Sequence, residues 1–481
     1  RFARADLGAR TIQSLMRAGE WTDLGDVVLV PAGRVSGRVV DAQGRALGGA
    51  KVRVEEALDL TSGTPVRTQE IPVGIEPVSV RARTNTEVWV VNHQSDDVCI
   101  VDLVTGNVSA TLLVGDEPTD VVFAGTPTRA YVCISQLDRV RVYDPLHLDA
   151  IPIDIPLEGS DPRSLAVSND GLRVFVTASE SGNKTSVVHF QVVQQGGGLP
   201  PPNPPKDPGL PAAPDVGLIV KHDGTRWVDE IGRNWNAALP FTLLDKDVFE
   251  ISTTTKTVTR AFTGVGTSLF NVAVNPSTGR LYVSNTEAQN QVRFEPNQRA
   301  KFVKNRVTTI DPVSSTVTPR HLNDHIDYNN PNGSDGERSL SLSLPLDLAV
   351  NSTGSTVYVT AFGSSKVGGL DQNGVITRRI AVGNGPGGLA LDEPRQQLYV
   401  WNRFESSITV VDLTDDSTSE IPLGFDPSSS AVLNGRPLLY DGAFPRRTAT
   451  SRAEAAISSA GCTTSRGISA IRRGTSSRCR R

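Results

Sequence analysis

The sequence predicts an all-β protein built from repeated four-stranded units. A glycine-x-x-proline turn followed by short apolar runs recurs along the chain, with turn prolines 41 or 44 residues apart from Pro77 to Pro162 and 41 apart from Pro345 to Pro427, and a looser copy lies between them at Phe270. Periods of about 40 to 45 residues made of short strands are typical of propeller blades. Composition agrees, because 43 Gly and 31 Pro are spread through the chain as turn residues and only one Met occurs. The turn prolines are Pro77, Pro118, Pro162, Pro345, Pro386 and Pro427.

Burial explains why such units must associate. Segments such as 88–91 and 398–401 are too apolar to face water on both sides of a sheet. A single sheet of about 40 residues cannot cover both of its faces, so each unit packs against a neighbour. Closing the stack into a ring leaves only short, protected strand edges. We therefore predict a seven-bladed β-propeller of four-stranded blades over residues 63–443.

Units one to three occupy residues 71–193, and the third is interrupted. The insertion, at about 190–245, holds a Gly- and Pro-rich stretch and an Asp-Gly hairpin signal. Segments 247–251 and 256–259 are predicted to supply the outer strands of the interrupted blade. Unit four carries a second insertion, at about 287–340, and units five and six are regular.

The last blade is predicted to draw on both ends of the chain. Unit seven supplies only two strands, at 428–433 and 436–440. Residues 64–73 precede the first glycine-proline turn and are predicted to be an outer strand of the same blade. Sharing one blade in this way closes a ring without an exposed edge.

Residues 34–56 have a different pattern, in which alternating strands flank the turn from Asp41 to Gly44. This stretch resembles the opening of a carboxypeptidase regulatory-like domain, with its motif G-x-V-x-D-x-x-G-x-x-L-x-G-A-x-V-x-V. Residues 23–30 resemble the closing strand of a preceding copy. The resemblance implies a partial extracellular β-sandwich over residues 1–62, and its motif is purely structural.

The second strands of the repeat carry a recurring tetrapeptide. It reads Val-Trp-Val-Val-Asn at 88–92, Tyr-Val-Ser-Asn at 282–285, Tyr-Val-Thr at 358–360 and Tyr-Val-Trp-Asn at 399–402. In this feature the chain resembles the YVTN β-propeller repeat family of bacterial surface and periplasmic proteins. The resemblance implies the fold and a periplasmic, secreted or cell-surface location. It implies nothing about activity, because propellers host many unrelated functions.

Charge is divided unevenly along the chain. Residues 446–481 hold nine Arg and one Glu, which is a net charge of +8. Because the net charge of the whole chain is −4, residues 1–445 carry a net charge of −12. An acidic body argues against a nucleic-acid partner. No apolar run reaches the roughly 18 to 20 residues that a membrane span needs. The chain begins at Arg1 without an initiator Met, and we expect it to be a piece of a longer reading frame. We also expect the propeller to be a monomeric ring.

Few residues suggest chemistry. His321 and His325 are spaced i, i+4 beside two carboxylates, which on a helix would place both rings on one face as metal ligands. The segment lacks an apolar stripe, and a polar loop is the alternative. Cys99 and Cys133 are predicted to be buried strand residues. The Asp pairs at 96–97 and 415–416 are predicted to bond their own turns. We find no catalytic or cofactor-binding motif.

The tail at 444–481 loses the strand pattern and is predicted to be disordered and out of frame. Related propellers often continue into a c-type haem segment. When the third base of each codon is read with the first two bases of the next, the codons of residues 452–460 permit the sequence Cys-Gly-Ser-Cys-His-Ile-Phe-Gly. Residues 461–471 then permit a second stretch containing Ala-Trp-Asp-Leu-Gly. This chain itself has no C-x-x-C-H, so haem c is expected only in an intact parent protein.

Three interpretations of function follow. The first is a non-enzymatic scaffold whose insertions contact an unknown protein or surface partner. The second is the propeller half of a c-type haem electron-transfer or peroxidase-like protein, in which His321 and His325 approach the haem domain. The third is a lactonase-like hydrolase with a central-channel site, against which the inner strands offer few converging carboxylates.

Overall fold

The computed structural model describes residues 2–3, 36–37, 54–59, 66–201, 217–239, 245–289, 303–327, 334–424 and 428–440. The fold is all-β, as predicted, and its four-stranded antiparallel sheets are the blades of a β-propeller. Two short pairs precede the blades, and the second of them reaches the first glycine-proline turn. The strands of these pairs are β1 (Phe2–Ala3) with β2 (Ser36–Gly37), and β3 (Val54–Asp59) with β4 (Val66–Pro72).

Blades 1 to 3 follow in chain order, each with its first strand innermost. Blade 1 contains β5 (Pro77–Thr84), β6 (Glu87–Asn92), β7 (Asp97–Asp102) and β8 (Asn107–Leu113). Blade 2 contains β9 (Pro118–Ala124), β10 (Arg129–Ile134), β11 (Arg139–Tyr143) and β12 (Ile153–Pro156). In blade 3 an insertion separates the inner from the outer strands. That blade contains β13 (Ser160–Val167), β14 (Arg173–Glu180), β18 (Val248–Ser252) and β19 (Thr257–Phe262).

The insertion of blade 3 has its own elements, which are helix α1 (Phe190–Gln195), β15 (Thr185–Val188), β16 (Leu218–His222) and β17 (Trp227–Val228). Blade 4 contains β20 (Ser268–Val274), β21 (Leu281–Ala288), β22 (Val303–Asp311) and β23 (Thr316–His321). Blade 5 follows helix α2 (Asp335–Ser339) and contains β24 (Pro345–Val350), β25 (Thr356–Ala361), β26 (Lys366–Asp371) and β27 (Ile376–Ala381). Blade 6 contains β28 (Pro386–Asp392), β29 (Gln397–Asn402), β30 (Ser407–Asp412) and β31 (Thr418–Pro422).

Adjacent blades bury their apolar strand faces against each other. Trp89 and Val91 of blade 1 pack with Val121 and Val132 of blade 2, and all four are buried. The Trp89 ring meets Phe123 edge to face at 5.3 Å between ring centroids. The second strand of a blade lies between two neighbouring blades, so both of its faces are buried and apolar. This accounts for the continuous apolar runs in the sequence.

The repeat turns are fixed by left-handed residues and carboxylates. The residue before the turn proline has positive φ, for example 57° at Glu117 and 54° at Asp161. Its backbone N–H donates to a carboxylate of the preceding blade, Asp96 for Glu117 and Asp138 for Asp161, at 3.0 Å in both cases. The Asp96 carboxylate therefore joins its own turn to the turn before Pro118, and the prediction that Asp96 also bonds its own turn stays a prediction.

The structure differs from the predicted seventh unit. Residues Ser430–Tyr440 form helix α3 instead of two strands, and β4 pairs with β3 instead of with that unit. The helix is held by tertiary contacts, since the Tyr440 ring lies 5.1 Å from Phe404 and 5.9 Å from Phe362 between centroids. Arg436 Nη1 also donates to the Phe404 carbonyl at 3.3 Å. The described residues thus form six four-stranded blades.

Three other predicted segments, the insertion at 287–340, the sandwich fragment at 1–62 and the tail at 444–481, compare with the structure as follows. The predicted insertion at 287–340 is divided, because residues 303–321 form β22 and β23 of blade 4. Most of the predicted sandwich fragment at 1–62, and the tail at 444–481, lie outside the described residues.

Candidate functional site

All long connections among the described blades leave at one end. This end, here called the insertion face, carries the links from second to third strands and the links from each fourth strand to the next blade. The long connections are 181–247 in blade 3, 289–302 in blade 4 and 322–344 before blade 5. At the opposite end the longest described connection only joins Tyr143 to Ile153. The blades therefore present one elaborated end and one plain end.

The described parts of the connection 181–247, which are residues 181–201, 217–239 and 245–247, form a small subdomain with its own core. Strands β15, β16 and β17 pair antiparallel. The fully buried Asp229 carboxylate accepts hydrogen bonds from Trp235 Nε1 at 2.9 Å and from Arg233 Nε at 2.6 Å. Buried apolar residues complete this core, namely Val188, Val193, Leu218, Val220 and Trp235. Large apolar side chains remain between 36% and 57% exposed around it, and they are Val187, Phe190, Val192 and Ile231.

Asp247 anchors the base of this subdomain. Its buried carboxylate accepts hydrogen bonds from the Ser181 hydroxyl and from the Val265 backbone N–H, the latter at 2.5 Å. Burial, which disfavours the charged carboxylate, raises the pKa of Asp247 to about 7. Asp247 thus ties the end of the insertion both to blade 3 and to the link into blade 4.

A second group of polar residues follows the inner strands. In all six blades the pairing register between first and second strands shifts near the start of the first strand. Such a bulge leaves a backbone N–H unpaired within its own sheet. The residues at the equivalent position beside the bulge are Ser79, Asp120, Ser164, Asn271, Asp347 and Gly388.

Asp120 uses this geometry to join three blades. Its buried carboxylate accepts from the Leu165 backbone N–H of blade 3 at 2.9 Å. On the other side it accepts from the Ser79 hydroxyl of blade 1 at 2.6 Å and from Arg81 Nη2 at 3.3 Å. The attraction of the Asp120 carboxylate raises the pKa of Arg81, despite the opposing effect of burial.

Asp347 repeats the arrangement across blades 4, 5 and 6. Its carboxylate accepts from the Leu389 backbone N–H of blade 6 at 2.7 Å and from the side-chain amide of Asn271 in blade 4. Burial raises the pKa of Asp347, and the positive charge of Arg81 partly offsets this effect. Asp120 and Asp347 are therefore clamps between blades, with their oxygens engaged by protein donors.

This pair of carboxylates was missed by the sequence reasoning, which expected few converging carboxylates on the inner strands. The available signal was an Asp two residues after the turn proline, at Asp120 and Asp347. Within the described part of the chain, no three His, Cys, Asp or Glu side chains are arranged to hold a metal ion.

The structure places the two candidate histidines in separate backbone contacts. His321 ends β23, and its Nδ1 lies 2.9 Å from the Asn305 carbonyl oxygen. His325 lies in the following turn, with Nε2 3.0 Å from the Glu337 carbonyl oxygen. Burial lowers the pKa of His321. The pair is not on a helix, so the i, i+4 spacing does not align the rings, and metal binding by them stays a prediction.

Other residues singled out in the sequence have structural surroundings. Cys99 and Cys133 are buried free cysteines, as predicted. Asp415 accepts from the Ser417 backbone N–H at 2.8 Å, also as predicted for a turn. Among the described helices, none is both long and apolar enough to span a membrane.

These features define a β-propeller protein with an elaborated insertion face. Comparison with protein families and with curated proteins found no match. Similar solved structures include hydrazine synthase from Kuenenia stuttgartiensis, with 17% identity, a TM-score of 0.40, and coverage of 71% of this chain and 96% of that one. Virginiamycin B lyase from Staphylococcus aureus has 10% identity, a TM-score of 0.41, and coverage of 78% and 90% respectively. Neither likeness bears on ligand or activity.

Proposed function

We propose that this chain is a non-enzymatic β-propeller scaffold of the YVTN type that binds a protein or surface partner through its insertion face. The observation that supports this proposal is the exit of all long described connections at one end of the blades. Long loops on a rigid framework commonly carry binding. In the proposal the ring is monomeric and works in the periplasm, at the cell surface or outside the cell.

The subdomain at 181–247 is the centre of the proposed contact surface. Phe190 and Ile231 are 41% and 57% exposed, although the subdomain has its own buried core. Exposed apolar surface on a folded unit is typical of protein interaction sites. A hydrolase-like site between the inner strands has less support, because Asp120 and Asp347 already accept hydrogen bonds from neighbouring blades.

Site-specific photo-crosslinking tests the scaffold proposal. p-Benzoylphenylalanine is placed at Ile231 of the full chain in its native host, and at Ile151 as a matched control. Ile151 is 93% exposed but lies in the connection at the opposite end. We expect irradiation to give an adduct with a specific protein at position 231 and none at 151. Equal adduct patterns at the two positions would contradict the proposal.

A second proposal concerns an intact parent protein that carries c-type haem in an electron-transfer or peroxidase-like domain after the propeller. The observation that favours it is the permitted C-x-x-C-H reading across residues 452–460. The residues of this chain do not fit haem c, since Cys99 and Cys133 are buried in different blades and neither belongs to such a motif. Sequencing the gene from the Tyr440 codon onward tests this idea. Third bases that do not spell Cys-x-x-Cys-His would eliminate it.

A further inference from the structure

The hairpin of β3 and β4 has the register of an outer half-blade. In this hairpin Asp59 pairs with Val66, and the register shifts between residues 57 and 58. In blade 1 the third and fourth strands pair Asp102 with Asn107, and the register shifts at the equivalent place, between residues 100 and 101. Blades 3 and 5 have the same shift in the same hairpin. The hairpin therefore matches the third and fourth strands of a blade.

Its connection and packing match as well. Residues 73–76 link the hairpin to Pro77, as residues 114–117 link blade 1 to blade 2, and both links read Val-Gly-x-Glu. Ile71 of β4 packs against Val90, Cys99 and Val101. These side chains form the flank of blade 1 that faces away from blade 2. The hairpin thus lies where the outer half of a blade preceding blade 1 belongs.

Among the described residues, none covers the inner half of that position. On the inner strand of blade 1, Val78 and Val80 are 47% and 52% exposed. In four other blades the residue equivalent to Val80 is at most 9% exposed, because the preceding blade covers it. Those residues are Val121, Leu165, Val272 and Leu348. Within the described chain, therefore, no strands occupy the two inner positions between blade 6 and the hairpin.

The segment of helix α3 has the sequence of those strands. Tyr440 follows Pro427 by 13 residues, the spacing that separates Pro386 from Tyr399 in blade 6 and recurs in blades 2, 3 and 5. Asn434-Gly435 is a strong hairpin signal, and Pro437 removes a helical hydrogen-bond donor. In the part of the chain that the structure describes, no atom outside the helix and the adjoining residues lies within 4 Å of the place that a Cβ atom on Gly435 would occupy. Local sequence preference and helical conformation disagree here.

We propose that residues 428–440 have a second conformation, a β-hairpin that joins β3 and completes a seventh blade. By equivalence with blade 6, where Leu398 pairs with Val411, Leu439 then pairs with Leu58. The hairpin covers Val80, and Tyr440 leaves its contacts with Phe362 and Phe404. The two conformations exclude each other, and the surface on blade 1 is a docking site for the chain's own segment.

Disulfide trapping in the full chain tests this proposal. Leu58→Cys with Leu439→Cys reports the hairpin, since paired strand residues lie within disulfide range. Phe404→Cys with Tyr440→Cys reports the helix. Both variants carry Cys462→Ser and Cys479→Ser to remove competing thiols. We expect mild oxidation to cross-link the first pair within one chain. Cross-linking of the second pair alone, or of the first pair only between two chains, would overturn the assignment.

Hydrogen exchange provides a measurement that needs no cysteine variant. In the proposed state the amides of residues 54–59 gain partners from the incoming strand. Replacing Asn434 and Gly435 by Ala favours the helix and removes the turn. We expect this double variant to exchange at least about tenfold faster than wild type at residues 54–59, with unchanged exchange in blade 2. Identical exchange at residues 54–59 in both proteins would overturn the proposal even if the cysteine variants failed to fold.

Discussion

Replacing Asp120 by Ala tests whether inner-strand carboxylates hold neighbouring blades together. The buried carboxylate accepts from the backbone N–H groups of Leu165 and Val121, both at 2.9 Å. It also accepts from the Ser79 hydroxyl and the Arg81 guanidinium. Alanine removes the acceptor for all four donors. The two backbone N–H groups then remain buried without this partner.

The expected cost follows from these contacts. A buried donor that loses its acceptor costs about 1 to 3 kcal/mol. Arg81 is 44% exposed, so the loss of its ion pair adds only about 0 to 1 kcal/mol. We therefore expect Asp120→Ala to lower the free energy of unfolding by about 2 to 7 kcal/mol, from two buried N–H groups and one ion pair.

Equilibrium urea unfolding, followed by tryptophan fluorescence and circular dichroism, measures this change. Asp154→Ala is the matched control, because Asp154 also pairs with two arginines, Arg139 at 2.7 Å and Arg141 at 2.6 Å. These partners are side chains on outer strands, so the two ion pairs of the control should cost about 0 to 2 kcal/mol together. Equal losses in the two variants would refute the clamp argument.

Three further predictions concern other buried groups. The pKa of Asp247 is raised to about 7, so between about pH 4 and 7 the folded protein keeps a proton that the unfolded chain releases. The free energy of unfolding should therefore fall as pH rises through this range. Asp247→Asn should flatten this dependence, as measured by urea unfolding at several pH values. Trp235→Ala should destabilise the subdomain at 181–247 by about 3 to 5 kcal/mol. The loss should appear as faster hydrogen exchange of the amides in that subdomain, with unchanged exchange in blade 5. Burial raises the pKa of the Cys133 thiol well above its usual range, so alkylation at pH 8 should require unfolding.

The strands of blades 1 to 6 could be predicted because their signals are local. Turn prolines, positive-φ turn residues and apolar periods each act over a few residues, and they recur in blades 1, 2, 3, 5 and 6, while blade 4 keeps the apolar period without the turn proline. The interrupted blade 3 was also predictable, since the strands at 247–251 and 256–259 keep the repeat pattern. Burial of Cys99 and Cys133 followed from their places in apolar strands.

The features that were missed depend on contacts between distant residues. The clamp at Asp120 needs a bulged strand from the next blade, and the Asp two residues after the turn proline marks the position without showing that contact. Helix α3 opposes its own Asn-Gly and Pro signals and is held by rings of Phe362 and Phe404 from blades 5 and 6. Spacing alone suggested a shared site for His321 and His325, but strand and turn geometry directs each ring to a different carbonyl oxygen.

The insertion in blade 3 shows why function is best sought at that face. The link from second to third strand has four residues, 93–96, in blade 1 but spans 181–247 in blade 3. Loop-closure entropy rises only by about 0.6 kcal/mol for each doubling of length, so this extension costs about 2 to 3 kcal/mol. The Asp247 hydrogen bonds and the separate core around Trp235 offset a cost of that size. The insertion face can therefore vary in sequence and length while the clamped inner strands keep the blades intact, which makes it the place to test the proposed partner contact.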